Sequence, residues 1–378
     1  MAKSFSSRES IFRNRTLDSV RGLAIFLMIL VNFPGSWGKM YAPLVHAKGD
    51  GFTLADIVFP MFLWAVGYSI FHSLEKNKDR STVSFTLLVL RRSMLLVSAG
   101  LLLNFLPDKN LETMRIPGVL QRIAICYFFV LLGFRFLSFR QAVITVLSIG
   151  LCLSLLNRFV IYGATGFEFS SVNPDISSSL GATLDRFLFG SHVWKEAKTF
   201  DPEGLLTTLI SMLSVLLGVT AAARYESGRD WRTSLFWIIA YIILGVILLP
   251  MFPCNKTQWS LSYILLSAGI IESVYLIMRS IPKLDSITSF MVGGIGRHAL
   301  LLFFLTGVIA RSSVYAKVRS EVFKRIMLYT TDANMSSLIY SLLIFFSIFL
   351  IFKIVSFFYF KFKSLSMRLP ASFRFVSK

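Results

Sequence analysis

The sequence predicts an all-α protein, a polytopic integral membrane helix bundle with about ten transmembrane helices. Three observations carry this expectation. Of 378 residues, 55% are hydrophobic and only 16% charged, against ~25% charged in an ordinary soluble domain. The mean hydropathy is +0.67, with 37 phenylalanines contributing to it. The apolar residues also fall in blocks rather than in a two- or four-residue rhythm, and a block of ~20 suits a helix that crosses the hydrocarbon core.

The blocks lie near residues 18–34, 53–74, 83–106, 116–137, 141–160, 203–223, 232–252, 257–278, 290–311 and 334–359. Pro34-Gly35 ends the first. Thr53-Leu-Ala-Asp56 opens the second with the pattern of a capping box, in which threonine and acid satisfy free N–H groups of the first turn. Asp201-Pro202 is expected to open the sixth, with aspartate as N-cap and proline at the first helical position. The polar stretch 161–202, rich in Ser, Asn, Asp and Gly, reads as a small ordered extracytoplasmic loop over the bundle. Residues 1–378 are therefore taken as a single domain.

Basic residues in short loops give the orientation. Lys3, Arg8, Arg13 and Arg15 precede the first span; Lys76, Lys78 and Arg80 follow the second. Arg135 and Arg140, then Arg224, Arg229 and Arg232, then Arg279 and Lys283 continue on the same side, as does the basic tail after 359. Both termini are thus expected in the cytoplasm. One segment disagrees: Arg311, Lys317, Arg319, Lys324 and Arg325 fall on the outer side. Either 311–325 is an amphipathic surface helix or the ninth span is wrongly drawn.

The formal charge of +19 is that of loops touching anionic membrane lipids, not of a nucleic-acid binder. Cys126 and Cys152 sit inside apolar runs and Cys254 is solitary, so no disulfide framework is expected. The first fifteen residues are mostly polar and no small-residue cleavage site follows the first apolar run, which argues against a cleavable signal peptide.

In this orientation His46 faces away from the cytoplasm. The polar starts of four spans do too: Asp56; Arg115 with Gln121 and Arg122; Asp201 with Glu203; and Asn255 with Lys256, close to Trp259. Asn32 closes the first span at the same level. An ionisable side chain within a span costs roughly 2.5–3.5 kcal/mol, so such groups tend to face a bundle interior or a wet cavity. Five spans offering polar groups at one depth predict a single outward-facing pocket. Each residue alone also has a plain explanation: Asp56 a cap, His46 a solvated loop residue, Arg115 and Arg122 headgroup contacts, Glu203 a partner of the helix dipole. Together, a histidine with a carboxylate partner is a general acid/base pair, and a nearby asparagine can donate to a developing oxyanion. His72, His192 and His298 are scattered, and no metal site is expected.

The ordered blocks LDSVRGLAIFLMILVNFPG, HAKGDGFTLADIVFPMFLWAVGYSI, RIPGVLQRIAICYF, FDPEGLLTTLISMLSVLLG, CNKTQWSLSYILLSAG and GRHALLLFF resemble the heparan-α-glucosaminide N-acetyltransferase family, bacterial members most of all. The resemblance implies a bacterial cytoplasmic-membrane enzyme that moves an acetyl group from cytosolic acetyl-CoA, or another acyl group from its CoA thioester, to the amine of a glucosamine-type sugar or glycan across the membrane. It places the catalytic histidine on His46, the aspartate that orients it on Asp56, and the asparagine of the VN motif on Asn32. A donor crossing ~30 Å of hydrocarbon needs a narrow tunnel, with Arg21, Arg91, Arg92, Arg297 and His298 as candidates for its cytoplasmic mouth. Two departures bear on the substrates. Lys48-Gly49-Asp50 lacks the family's aromatic between histidine and glycine, and His298-Ala299 replaces asparagine-serine after GR. A transporter for amino sugars is the alternative function, and a lipid-binding membrane protein a third. The oligomeric state, a homodimer included, is left open.

Overall fold

Two helices at the centre of the bundle touch through reciprocal glycines. They are α2 (Leu54–Lys76) and α7 (Leu205–Glu226). A Cβ on Gly67 would stand 1.9 Å from the carbonyl oxygen of Val215, and one on Gly218 would stand 2.0 Å from that of Trp64. Only glycine permits this approach, which brings backbones together where lipid gives helices no hydrophobic reason to associate. The computed structural model describes residues 14–163, 166–169, 176–228 and 230–368. Lys3, Arg8, Arg13 and Arg229, with the end of the basic tail, lie outside the described residues.

Around this pair stand α1 (Arg15–Asn32), α3 (Thr82–Phe105), α4 (Val119–Phe136), α5 (Phe139–Phe159), α8 (Trp231–Ile247) and α9 (Leu261–Ser280). After α9 come α10 (Pro282–Thr288), α11 (Gly294–Arg297), α12 (Ala299–Ala310), α13 (Ser313–Met327) and α14 (Ala333–Arg368). The stretch between α5 and α7 holds an antiparallel hairpin, β1 (Val160–Gly163) with β2 (Gly166–Phe169), and the short helix α6 (Leu180–Phe189). This stretch is tied to the bundle by Gly181 N–H on Asn157 Oδ1 at 3.0 Å and by Ile116 N–H on the carbonyl of His192 at 2.9 Å.

The protein is an all-α polytopic membrane bundle, and all ten expected apolar blocks are helical, but they do not make ten uniform spans. Among the described residues, seven helices are long and apolar enough to cross a membrane: α2, α3, α4, α5, α7, α9 and Ala333–Phe358 of α14. An eighth span exists only if Met291–Arg297 and Ala299–Ala310, bent by 85° at His298, cross together. The first block, α1, carries Arg15, Asp18 and Arg21 within its 18 residues, and α8 has 17. The ninth block breaks because its first half is drawn against α1. A Cβ on Gly22 would lie 2.1 Å from the oxygen of Val292, and one on Gly296 would lie 1.8 Å from that of Asp18.

The sixth span also begins later than expected. Gly204, not Asp201, is the N-cap of α7. The Asp201 carboxylate is taken by Arg115 and by the N–H of Glu203 at 2.9 Å, and Asp185 of α6 receives the N–H of Leu205 instead, at 2.9 Å. The basic segment 311–325 is largely the surface helix α13, packed by its aromatic side on the turn after α1. Tyr315 stands edge-on to Phe33 at 5.5 Å, and Phe323 lies against Gly35.

At the opposite end from His46, buried polar groups clasp the helix ends. Tyr68 and Tyr275 hydroxyls are 2.7 Å apart, Asn14 donates to both, and Glu226 accepts from Tyr68 at 2.9 Å. Beside them the Glu272 carboxylate accepts from Arg224 through both oxygens at 2.7 Å.

Candidate active site

His46 is delivered by the loop between α1 and α2, a segment rich in glycine and stitched to α2 at its start. Nδ1 of His46 lies 2.9 Å from Oδ1 of Asp56. The other carboxylate oxygen accepts from Thr53 N–H at 3.0 Å, Thr53 Oγ1 at 2.9 Å and Ala47 N–H at 3.2 Å. The capping box expected at Thr53–Asp56 is present, and its acid also holds the histidine. Asp56 is fully buried, while 45% of the His46 side chain remains exposed. Because a carboxylate only accepts, Nδ1 carries the proton and Nε2 presents a lone pair.

Lys256 comes to the same point from the turn before α9. Its Nζ is 3.1 Å from His46 Nδ1, 3.2 Å from Nε2 and 3.9 Å from Asp56 Oδ1, so it lies against the imidazole ring and within reach of both nitrogens. Burial, with Arg122 nearby, holds the ammonium below the usual lysine range in spite of Asp56 and Glu203. The turn is fastened to the His46 loop: Gly51 N–H donates to the carbonyl of Cys254 at 2.7 Å, and Asn255 Nδ2 donates to Asp50 at 2.9 Å. Trp259 closes it with φ 53°, a left-handed backbone rare for a bulky residue.

A second polar layer lies beneath. Arg115 pairs with both Asp201 and Glu203, reaching Asp201 from Nε at 2.8 Å. Burial alone would keep Glu203 neutral, but Arg115, Arg122 and Lys256 outweigh it and hold its carboxyl below the usual range. Arg122 is buried, donates to Thr207, Thr208 and the carbonyl of Pro202, and lies 4.6 Å from the Trp259 ring centre. Its Nη1 has no hydrogen-bond partner among the described residues. Gln121 stands apart from this layer, bonded to the carbonyl of Ile116 and packed on Gly100 and Gly118. Asn32 is exposed at the end of α1 and makes no hydrogen bond with His46 or Asp56. Tyr263, which donates to the carbonyl of Asp56 at 2.6 Å, is a contact sequence reading missed; a tyrosine in an apolar run gives no signal.

Farther along α2, a cavity of about 560 Å³ opens between α2, α3, α4 and the α11–α12 break. Arg21, Arg92, Arg297 and His298 line it, with Ser69 and Tyr127. Four of the five basic residues proposed for the cytoplasmic mouth are therefore together. Arg91 is not in the lining; it is exposed on α3, one residue and about 100° around the helix from Arg92. The break adds the first turn of α12, Ala299–Leu301, to the wall. Those N–H groups lack intrahelical partners, so the wall is electropositive. Arg21 reaches Ser69 across it, and Arg92 donates to Tyr127 at 3.3 Å.

Fold and site together define a membrane-embedded helix bundle with a histidine–carboxylate pair at one end and a basic cavity toward the other. Residues 13–200 match the model of a domain of unknown function, DUF5009. Over 309 residues, 67% of this chain, the sequence is 30% identical to human heparan-alpha-glucosaminide N-acetyltransferase; over 313 residues it is 29% identical to the mouse protein of that name. The chain belongs to this acetyltransferase family. The matches cover 46% and 47% of those relatives, so the chain spans about half their length.

Proposed function

We propose that the chain is a membrane N-acetyltransferase that takes an acetyl group from cytosolic acetyl-CoA and delivers it to the amine of a glucosamine-type sugar outside the cytoplasm. The observation that supports this most directly is the placing of two unlike sites along one helix. Asp56, in the first turn of α2, fixes His46, while Phe62 to Ser69 of the same helix wall the basic cavity. The activity for which the relatives are named agrees with the reading.

His46 Nε2 takes the proton from the acceptor amine as that amine attacks, and Asp56 holds the ring in the tautomer that leaves Nε2 free. Lys256 and the buried Arg122 keep the site cationic, which favours a developing oxyanion. Asn32 is assigned the role of polarising the acyl carbonyl, from the exposed end of α1. Arg115, Asp201 and Glu203 brace the acceptor side, where Asn255 and Trp259 complete the wall. The donor supplies an activated acyl thioester. The cavity fits such a group chemically: Arg21, Arg92, Arg297 and His298 would hold phosphate oxygens, and its apolar residues would line the arm. Basic loops on the side opposite His46 support cytoplasmic termini in a bacterial inner membrane. Direct transfer and transfer through acetyl-histidine use the same residues.

The test is a two-sided one. With the protein in sealed vesicles, acetyl-CoA on one face and glucosamine on the other, free thiol and acetylated sugar should rise together. A second reading, an amino-sugar transporter, draws on the broken α11–α12 helix, a feature of carriers. Sugar uptake with no thiol released would favour it and reject the transferase.

A further inference from the structure

Lys256 brings an amine against His46, within the distance over which an acceptor amine would pass its proton to the ring. Lys256 Nζ lies against the ring, 3.1 Å from Nδ1 and 3.2 Å from Nε2; Asp56 occupies Nδ1, so Nε2 is the ring nitrogen left to accept a proton. The contact is built rather than incidental. Two hydrogen bonds, Gly51 to Cys254 and Asn255 to Asp50, tie the lysine's turn to the histidine's loop. Trp259 ends that turn in a left-handed conformation, buried under the Arg122 guanidinium, and such costly backbone collects at working sites.

We propose that Lys256 is a self-acetylation site: when no acceptor amine is present, the acyl group of the thioester donor passes to its Nζ. The inference rests on the transferase reading above. The neutral amine attacks the thioester carbonyl, forming a C–N bond as the C–S bond breaks. The proton lost from Nζ moves to His46 Nε2 and on to the leaving thiolate, so the products are an acetyl-lysine and a free CoA thiol. The groups facing Nζ are His46 from the loop, Asp56 from α2, Glu203 from the segment before α7 and Arg122 from α4. The two acids favour the ammonium; burial and Arg122 oppose them and bring it below the usual lysine range. The amine form is thus available at lower pH than for an exposed lysine, and labelling should rise with pH as it fills. Acetylation also removes the cation beside His46, so the modified enzyme should turn over more slowly.

The experiment uses the full-length protein with acetyl-CoA alone and reads acetyl-lysine by peptide mass spectrometry. The expected result is one acetyl mass on the Lys256 peptide, suppressed by excess glucosamine and reduced roughly 10²-fold in His46→Ala. The glucosamine competition needs no variant, so it holds even if His46→Ala folds poorly. An unlabelled Lys256 in a preparation that acetylates glucosamine overturns the inference and leaves the transferase standing. Equal labelling in His46→Ala, or labelling indifferent to glucosamine, overturns it as well. Absence of thiol release with and without sugar sinks the transferase reading and this inference together.

Discussion

Asp56 grips His46 with one carboxylate oxygen and its own helix start with the other, 2.9 Å to the imidazole and 3.0 Å to the N–H of Thr53. One side chain thus caps α2 and sets the histidine tautomer. His46→Ala is expected to lower thiol release from acetyl-CoA by at least ~10², the lower end for a lost general base. Asp56→Asn should fall by a similar factor while the protein remains folded, because the amide still caps the helix but no longer supports a charged ring. Undiminished turnover in His46→Ala would remove the imidazole from the chemistry.

Arg21 and Arg92 both line the basic cavity that α2 helps to wall. If they hold the donor's phosphates, Arg21→Ala and Arg92→Ala should each raise KM for acetyl-CoA about tenfold, the worth of one charged hydrogen bond, with kcat nearly kept. Arg91→Ala, outside the lining, serves as the control and should leave KM within about twofold, the scale of an ordinary surface substitution. Equal effects at Arg91 and Arg92 would mean a general surface field, not a site.

The Arg224–Glu272 pair is 7% and 0% exposed. Arg224→Leu alone should cost about 3–5 kcal/mol, since it strands a buried carboxylate, and the double change Arg224→Leu with Glu272→Leu should recover most of that. Thermal unfolding in detergent reads both. A double variant less stable than either single one would contradict the argument.

Burial pushes the Asp185 carboxyl up to about 6 from 3.8, with the Asp201 carboxylate adding to it. The folded state therefore holds this proton more tightly than the unfolded chain does. The stability this contributes is fully present below pH ~4 and lost as pH rises through about 6, on the order of 3 kcal/mol. Asp185→Asn should flatten that part of the stability profile. An unchanged slope would show that the carboxyl is already ionised in the folded protein.

Local rules made part of this molecule readable from its residues. The Thr53–Asp56 box and the pairing of Asp56 with His46 follow from spacing within one loop and one helical turn. Arg21, Arg92, Arg297 and His298, from three of the blocks, are expected together as the mouth of the tunnel that the family resemblance implies. What escaped was decided by tertiary packing. Nothing in GIGRHAL announces an 85° bend; the bend comes from Gly22 and Gly296 allowing two backbones to meet. Asp201-Pro202 has the sequence of a helix start, yet Arg115, distant in the chain, claims the aspartate and α7 begins at Leu205. The partnership of Lys256 with His46 spans 210 positions and has no local signature.

The central helix α2 acts as a ruler. From Asp56 to Ser69 it rises thirteen residues, about 20 Å at 1.5 Å each, and its helical hydrogen bonds give that interval little stretch. On the proposed reading, a donor held by its charged end at Ser69 and Arg21 would deliver to His46 only if a slender arm of that reach joined the two. Short activated acyl compounds, however reactive, should be poor fuel for this protein.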